Sequence, residues 1–343
     1  MKAKFVLSKE IVLEQVKKLE EFGLKISYSY KTNKEVGNIL QELSGCSFSI
    51  HAEEEIDLIK DKQKIWFFTQ AETNQELINI LDKGVRNFVV DNEVDLGILL
   101  EAVDKRKINV NLSLRMKFQE HRIGTGKYFV YGISCKRINE LIKFLGTKAF
   151  VENLGIHIHR KSQNTSEWNI KEELEDSLSQ ESLKLIDFVN FGGGLPSKYR
   201  GYSHDVDLYI FNRIAEAKEF LNEKKIEVWI EPGRFIAAPA IRLEVEIIQI
   251  QGKNIIVNTS IYRCALDTLI TGTKMLIKGE LEKGREYLIK GNSPTRDDIF
   301  RYRVGLENPK VGDKIVFLNA GAYNYSTDFF GYNKLDTEIV ETF

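Results

Sequence analysis

Two textures of apolar and polar positions divide the 343 residues. From about Lys25 to Gly233, short apolar runs alternate with stretches whose apolar residues recur at helical spacing. The runs predict strands over Lys25–Tyr30, Cys46–Ile50, Lys64–Thr69, Asn87–Val90, Asn109–Met116, Gly155–His159, Asp187–Phe191 and Glu227–Ile230. Between them, Thr73-Asn74-Gln75-Glu76 reads as a capping box opening a helix over Glu76–Leu81. Ser134 is placed to cap Lys136–Leu145, where Ile138, Leu141, Ile142 and Leu145 share a face. Val206–Glu223 is a longer amphipathic run. Strands alternating with helices in this way predict an α/β fold, a parallel (β/α)8 TIM-like barrel over residues 8–234. A doubly wound sheet satisfies the same count.

After Arg234 the period changes. Leu243, Val245 and Ile247 alternate with Glu244 and Glu246, and then Ile248 and Ile250 alternate with Gln249 and Gln251. The slip of one residue predicts a β-bulge at Ile247-Ile248. Asn254–Asn258, Tyr287–Lys290 and Lys314–Leu318 also read as strands between Gly and Asp turns. Residues 235–343 are therefore expected to form a C-terminal antiparallel β domain, a sandwich or small barrel. Residues 1–7 are expected to add a strand to it before a helix over Lys9–Phe22.

Charge and cysteine content narrow the class. Lys plus Arg is 49 and Asp plus Glu is 50, for a net charge of −1. That balance points away from nucleic acid and membrane surfaces as partners. Cys46, Cys135 and Cys264 are sparse, odd in number and widely spaced, which predicts a reducing compartment without a disulfide framework. With an N-terminal apolar run too short for a signal peptide and no membrane-length run, the sequence reads as cytoplasmic.

Three predicted strand ends carry chemistry. Lys31 follows Ile26-Ser27-Tyr28-Ser29-Tyr30; Gly192-Gly193-Gly194 follows Phe188-Val189-Asn190-Phe191; Glu231-Pro232-Gly233-Arg234 follows Val228-Trp229-Ile230. Alone, each has a plain reading: a solvated lysine, a turn, a surface ion pair. Together they supply an amine for an aldehyde, backbone N–H groups and a guanidinium for a phosphate, and a carboxylate for a ring nitrogen, as a pyridoxal phosphate site requires. His157-Ile158-His159 adds two imidazoles on one face. A metal pair is one reading of them, but the other histidines (His51, His121, His204) stand in no comparable strand-end motif. No metal site is assigned, and an imidazole packed on a cofactor ring is the preferred reading.

These motifs resemble those of the pyridoxal-phosphate-dependent decarboxylases of basic amino acids, with the alanine-racemase-like fold, over essentially the whole chain. Tyr28-Ser29-Tyr30-Lys31-Thr32-Asn33 is similar to the family's Schiff-base motif, which implies Lys31 as the aldimine lysine. The resemblance of Gly155–His159 and Ser162-Gln163 implies a stacking role for His159 and a phosphate contact for Ser162. It further implies phosphate contacts from Gly193, Gly194, Arg234 and Tyr323, the last in Gly321-Ala322-Tyr323, and a pyridinium contact from Glu231. A glutamate there separates the chain from alanine racemases, which place an arginine against that nitrogen. The expected catalytic set is Lys31, His159 and Glu231, with carbon dioxide released through a quinonoid, in a homodimer.

The chain departs from the family at three points. Arg160 and Lys161 replace a small residue and a glycine; Ser49-Ile50-His51 lacks an acid; and Pro294 replaces the family's cysteine in Gly291–Asp298, while Asp298 is retained. Asn258-Thr259-Ser260 and Asp267 resemble the carboxynorspermidine decarboxylase branch. The implied substrate is a diamino acid or carboxypolyamine, with Asp267 and Asp298 expected along its pocket. Diaminopimelate, held through Arg160 or Lys161, and a non-catalytic cofactor-binding homologue are the alternatives.

Overall fold

The computed structural model describes residues 1–117, 131–202 and 205–343. The chain begins with strand β1 (Lys4–Ser8), and the Ser8 hydroxyl then caps the helix Lys9–Glu21 by accepting from the Ile11 N–H at 3.3 Å. Eight parallel strands follow and close a barrel: β2 (Lys25–Ser29), β3 (Ser47–Ile50), β4 (Ile65–Phe68), β5 (Asn87–Val90), β6 (Val110–Arg115), β7 (Val151–His157), β8 (Phe188–Asn190) and β9 (Glu227–Ile230). Closure is direct, with Lys25 paired to Trp229 and Ile26 to Ile230. The strands are short and mostly buried because helices cover the outside while side chains fill the inside.

All eight strands point the same way, so their C-terminal ends share one mouth. Lys31 sits in the turn Tyr30–Thr32 after β2, His51 follows β3 and Asp91 follows β5. Arg115 ends β6, His157 ends β7 and Glu231 follows β9. The capping box is present, with the Thr73 hydroxyl and the Glu76 carboxylate exchanging bonds at the start of Asn74–Asp82. Ser134 precedes the helix Cys135–Leu145 but its side chain makes no cap hydrogen bond.

The helix Arg234–Ala240 packs on Lys9–Glu21 and leads into the second sheet. Its strands are β10 (Ile241–Gln251), β11 (Asn254–Val257), β12 (Leu276–Ile277), β13 (Leu281–Lys290), β14 (Ile299–Gly305), β15 (Lys314–Leu318) and β16 (Thr337–Val340), with β1 joining β10. The register of β10 against β11 shifts between Ile247 and Gln249, so the bulge falls where the alternation slips. The sheet is mixed rather than wholly antiparallel: β11 runs parallel to β13, and β1 parallel to β16. No helix among the described residues is long and apolar enough to cross a membrane.

Candidate active site

A cavity of about 490 Å³ opens at the barrel mouth, lined by Lys31, His159, Ser162, Gly193, Gly194, Glu231, Arg234 and Tyr323 among others. Eight of the ten site residues expected from sequence therefore meet in one place.

Glu231 is almost fully buried and holds both carboxylate oxygens in fixed bonds. His157 Nε2 lies 3.0 Å from Oε2, and Asn190 Nδ2 donates to Oε1 at 2.9 Å. Burial pushes this carboxyl upward, but His157, by charge and hydrogen bond, with His159 and His51 behind it, pulls it down to about 2. The acid is thus ionised at neutral pH inside a low-dielectric site. Asn190 also accepts the Gly192 N–H at 2.8 Å, tying the glycine turn to the acid's strand end.

His159 lies parallel to His157, with ring centroids 6.3 Å apart and planes 8° apart. Its Nδ1 accepts the Gly193 N–H at 3.1 Å, which fixes the ring plane and requires Nδ1 to be unprotonated. Burial, with Arg115 and His157 adding to it, pushes its pKa down to about 3. Lys31 is exposed and opens into the cavity. Burial lowers its pKa, Glu231 opposes that and Arg115 reinforces it. A larger neutral fraction makes the amine a better nucleophile.

Arg234 is 5% exposed. Its Nε donates to Ser162 Oγ at 3.3 Å and its Nη1 to the Tyr199 hydroxyl at 2.9 Å. The guanidinium carbon lies 5.2 Å from the Tyr323 ring centroid and 5.5 Å from that of Tyr199. Two glycines allow these loops to meet. Gly192 has φ +67°, and a Cβ there would stand 2.1 Å from the Ile158 carbonyl oxygen. A Cβ on Gly233 would stand 2.2 Å from Thr32 Oγ1, so with any other residue the Glu231–Arg234 turn would have to displace Thr32 to lie against the Lys31 turn.

Asp267 and Asp298, expected along the substrate pocket, do not line the cavity. Asp267 gives both oxygens to Arg234, at 2.7 and 2.9 Å. Asp298 is fully buried and accepts the N–H groups of Ile261 at 2.9 Å and Ser293 at 3.0 Å, holding its own loop together. Arg160 and Lys161 also turn away: Arg160 pairs with Glu173, and Lys161 lies 3.8 Å from Glu167. His121 and His204 lie outside the described residues.

Several cavity residues escaped the sequence reading. His51 stacks on Phe68 at 4.6 Å with planes 13° apart, and its buried Nδ1 has no hydrogen-bond partner among the described residues. Burial and the Lys31 cation push it down to about 3. Arg115, Asp91, Gln70 and Tyr131 line the same cavity. The signal that could have found His51, Asp91 and Arg115 is position, since each stands at the C-terminal end of a barrel strand.

The donor set fits pyridoxal phosphate. The cavity offers an amine with a lowered pKa, a carboxylate ionised in a buried site, and Arg234 with the Ser162 hydroxyl and the Gly194 backbone. No hydrogen bond among the described residues uses the Gly194 or Leu195 N–H, whereas the Gly193 N–H is committed to His159.

Similarity to known proteins agrees with this chemistry. The profile of the family described as "Pyridoxal-dependent decarboxylase, pyridoxal binding domain" matches residues 9–238. The diaminopimelate decarboxylase of Methanocaldococcus jannaschii is 24% identical over 339 residues, 90% of this chain and 76% of that protein. The carboxynorspermidine/carboxyspermidine decarboxylase of Herminiimonas arsenicoxydans is 29% identical over 176 residues, 49% of this chain and 46% of that protein. The lysine decarboxylase of Selenomonas ruminantium superposes with a TM-score of 0.83 at 21% identity, over 99% of this chain and 92% of that one, which shows a shared fold. With the match spanning the whole barrel and the amine, carboxylate and guanidinium gathered at its mouth, this chain belongs to the pyridoxal-dependent decarboxylases.

Proposed function

We propose that the protein removes the carboxylate of a diamino acid or carboxypolyamine, with Lys31, His159 and Glu231 as the catalytic residues. The observation that carries this reading is the buried Glu231 carboxylate, fixed by His157 and Asn190 within the cavity that also holds Lys31. When bound, pyridoxal phosphate supplies an electron-poor ring that draws in the electrons of the breaking carbon–carbon bond. Lys31 would hold the cofactor through its amine and yield it to the substrate's. Glu231 would keep a proton on the ring nitrogen, because its ionised carboxylate favours the cationic form. His159 would form one flat wall against the ring, its plane set by Gly193. Arg234, Ser162, Gly194 and Tyr323 would hold the phosphate.

For the substrate we favour a carboxypolyamine such as carboxynorspermidine. Its support is the higher identity to the Herminiimonas arsenicoxydans enzyme and the pairing of Arg160 with Glu173 and of Lys161 with Glu167 off the cavity lining, which removes two cations from a polycation's path. Asp91, at the cavity wall, is then the acid placed to meet a substrate amine. Diaminopimelate is the second reading, favoured by Arg115 in the same cavity and by the longer match to the Methanocaldococcus jannaschii protein. Comparing kcat/KM for carbon dioxide release from carboxynorspermidine, diaminopimelate, lysine and ornithine tests both. Preference for carboxynorspermidine is expected; preference for diaminopimelate selects the second reading, and no release from any of the four contradicts both.

The active species is read as a cytoplasmic homodimer. Exposed Leu269, Ile270, Phe329 and Phe330 on the second domain support association. Sedimentation of the purified holoenzyme at twice the monomer mass is the expected result.

A further inference from the structure

We infer that Asp267 is a positioning residue for the cofactor's phosphate, acting through Arg234. The inference rests on the reading that Arg234 binds that phosphate. Asp267 lies behind the cavity wall, in the helix Leu266–Thr271 of the second domain, and is 7% exposed. Its Oδ2 accepts from Arg234 Nη1 at 2.7 Å and its Oδ1 from Nη2 at 2.9 Å. Both terminal nitrogens of the planar guanidinium are therefore engaged along one edge.

The consequence is directional. With the terminal edge held from behind, the Nε side of the fork is the one turned to Ser162, whose Oγ lies 3.3 Å from Nε. Ser162 and Gly194 line the cavity at that point. Three further contacts lock the arrangement. Tyr199 accepts from Nη1 at 2.9 Å, and the Thr271 hydroxyl donates to the Asp267 backbone carbonyl at 2.7 Å and to Oδ1 at 3.2 Å. Arg234 belongs to the barrel and Asp267 to the second domain, so docking of the two orients the anion-binding fork. An unheld arginine would have to order its side chain when the anion binds; one held in advance does not. Asp267 thus has a role that its place behind the cavity lining would otherwise hide: it sets the geometry of the residue that would hold the phosphate.

The test compares cofactor affinity across variants of the full chain, purified without cofactor and titrated with pyridoxal phosphate by fluorescence quenching. The phosphorus resonance of the bound cofactor is the second readout. Asp267→Asn keeps the shape but removes the charge and places an amide against guanidinium donors. It should raise the Kd about tenfold or more and shift the phosphorus resonance. Asp267→Glu, which retains the carboxylate, should recover part of the affinity, and it serves as the test if Asp267→Asn fails to fold. Arg234→Ala should raise the Kd at least as much, and adding Asp267→Asn to it should raise the Kd little further. Glu280→Gln breaks another buried arginine pair of the second domain, with Arg301 at 2.7 Å, and should lower the melting temperature without moving the Kd. If Arg234→Ala weakens binding and neither Asp267 variant does, the positioning role is wrong. A lower Kd in Asp267→Asn would also overturn it, showing that the aspartate competes with the phosphate. An unchanged Kd in Arg234→Ala would instead remove the reading of Arg234 on which the inference rests.

Discussion

His157 and Glu231 share a buried hydrogen bond of 3.0 Å between Nε2 and Oε2 at the barrel mouth. The histidine read from sequence as half of a same-face pair is thus committed to the acid, and its neighbour two residues on faces the cavity. One strand end supplies both the support for Glu231 and the wall above it.

Glu231→Gln should lower turnover sharply while pyridoxal phosphate stays bound. The amide retains size and one acceptor oxygen but has no charge to hold a ring-nitrogen proton. Steady-state turnover and cofactor content of the purified variant check this. Near-wild-type turnover would mean that the chemistry does not use that proton.

Arg234→Ala should weaken cofactor binding by roughly 2–3 kcal/mol, about 30- to 150-fold, as expected for loss of a charge-assisted contact. Titration of the cofactor-free variant measures it.

Gly233→Ala should destabilise the fold by roughly 1–3 kcal/mol, because the new Cβ meets Thr32 Oγ1 at 2.2 Å. Adding Thr32→Ala removes that oxygen and should return part of the loss. Denaturant unfolding of both variants decides it, and a neutral Gly233→Ala would show that the two turns can separate freely.

Acid should weaken the cofactor-free protein. Burial and the Lys31 cation hold His51 down at about 3 in the folded chain against an ordinary 6.5, so below about pH 6.5 the unfolded chain takes up a proton that the folded chain refuses. Its contribution is complete above 6.5 and is lost as pH falls toward 3. Glu231, lowered from 4.5 to about 2, acts in the same direction between those values. Melting temperature should fall between pH 7 and pH 4, and His51→Phe, with no ring nitrogen to protonate, should fall less. Equal slopes would show that His51 titrates normally in the folded protein.

Much of this was legible in the chain. The barrel strands were visible because parallel strands covered by helices are continuous apolar runs, and the bulge at Ile247-Ile248 because one slipped residue reverses the alternation. The first half of β13 was not, since Glu282, Lys283, Arg285 and Glu286 are exposed and show no period. Lys31, Glu231 and Arg234 stood out because each lies in a run of neighbours that make sense together. The partners of Asp267 and Asp298 were not legible, for the opposite reason. A carboxylate's partner is chosen by the fold, and Arg234 and the Ile261 N–H lie dozens of residues away in sequence. His51, Asp91 and Arg115 are single residues without a motif, and only the closed barrel brings them together.

The most direct measurement is reduction of the pyridoxal phosphate-loaded protein with borohydride, followed by peptide mapping by mass spectrometry. A visible absorption band is expected before reduction, its loss afterwards, and a phosphopyridoxyl group on the peptide containing Lys31. A colourless protein, or the label on another lysine, would contradict it.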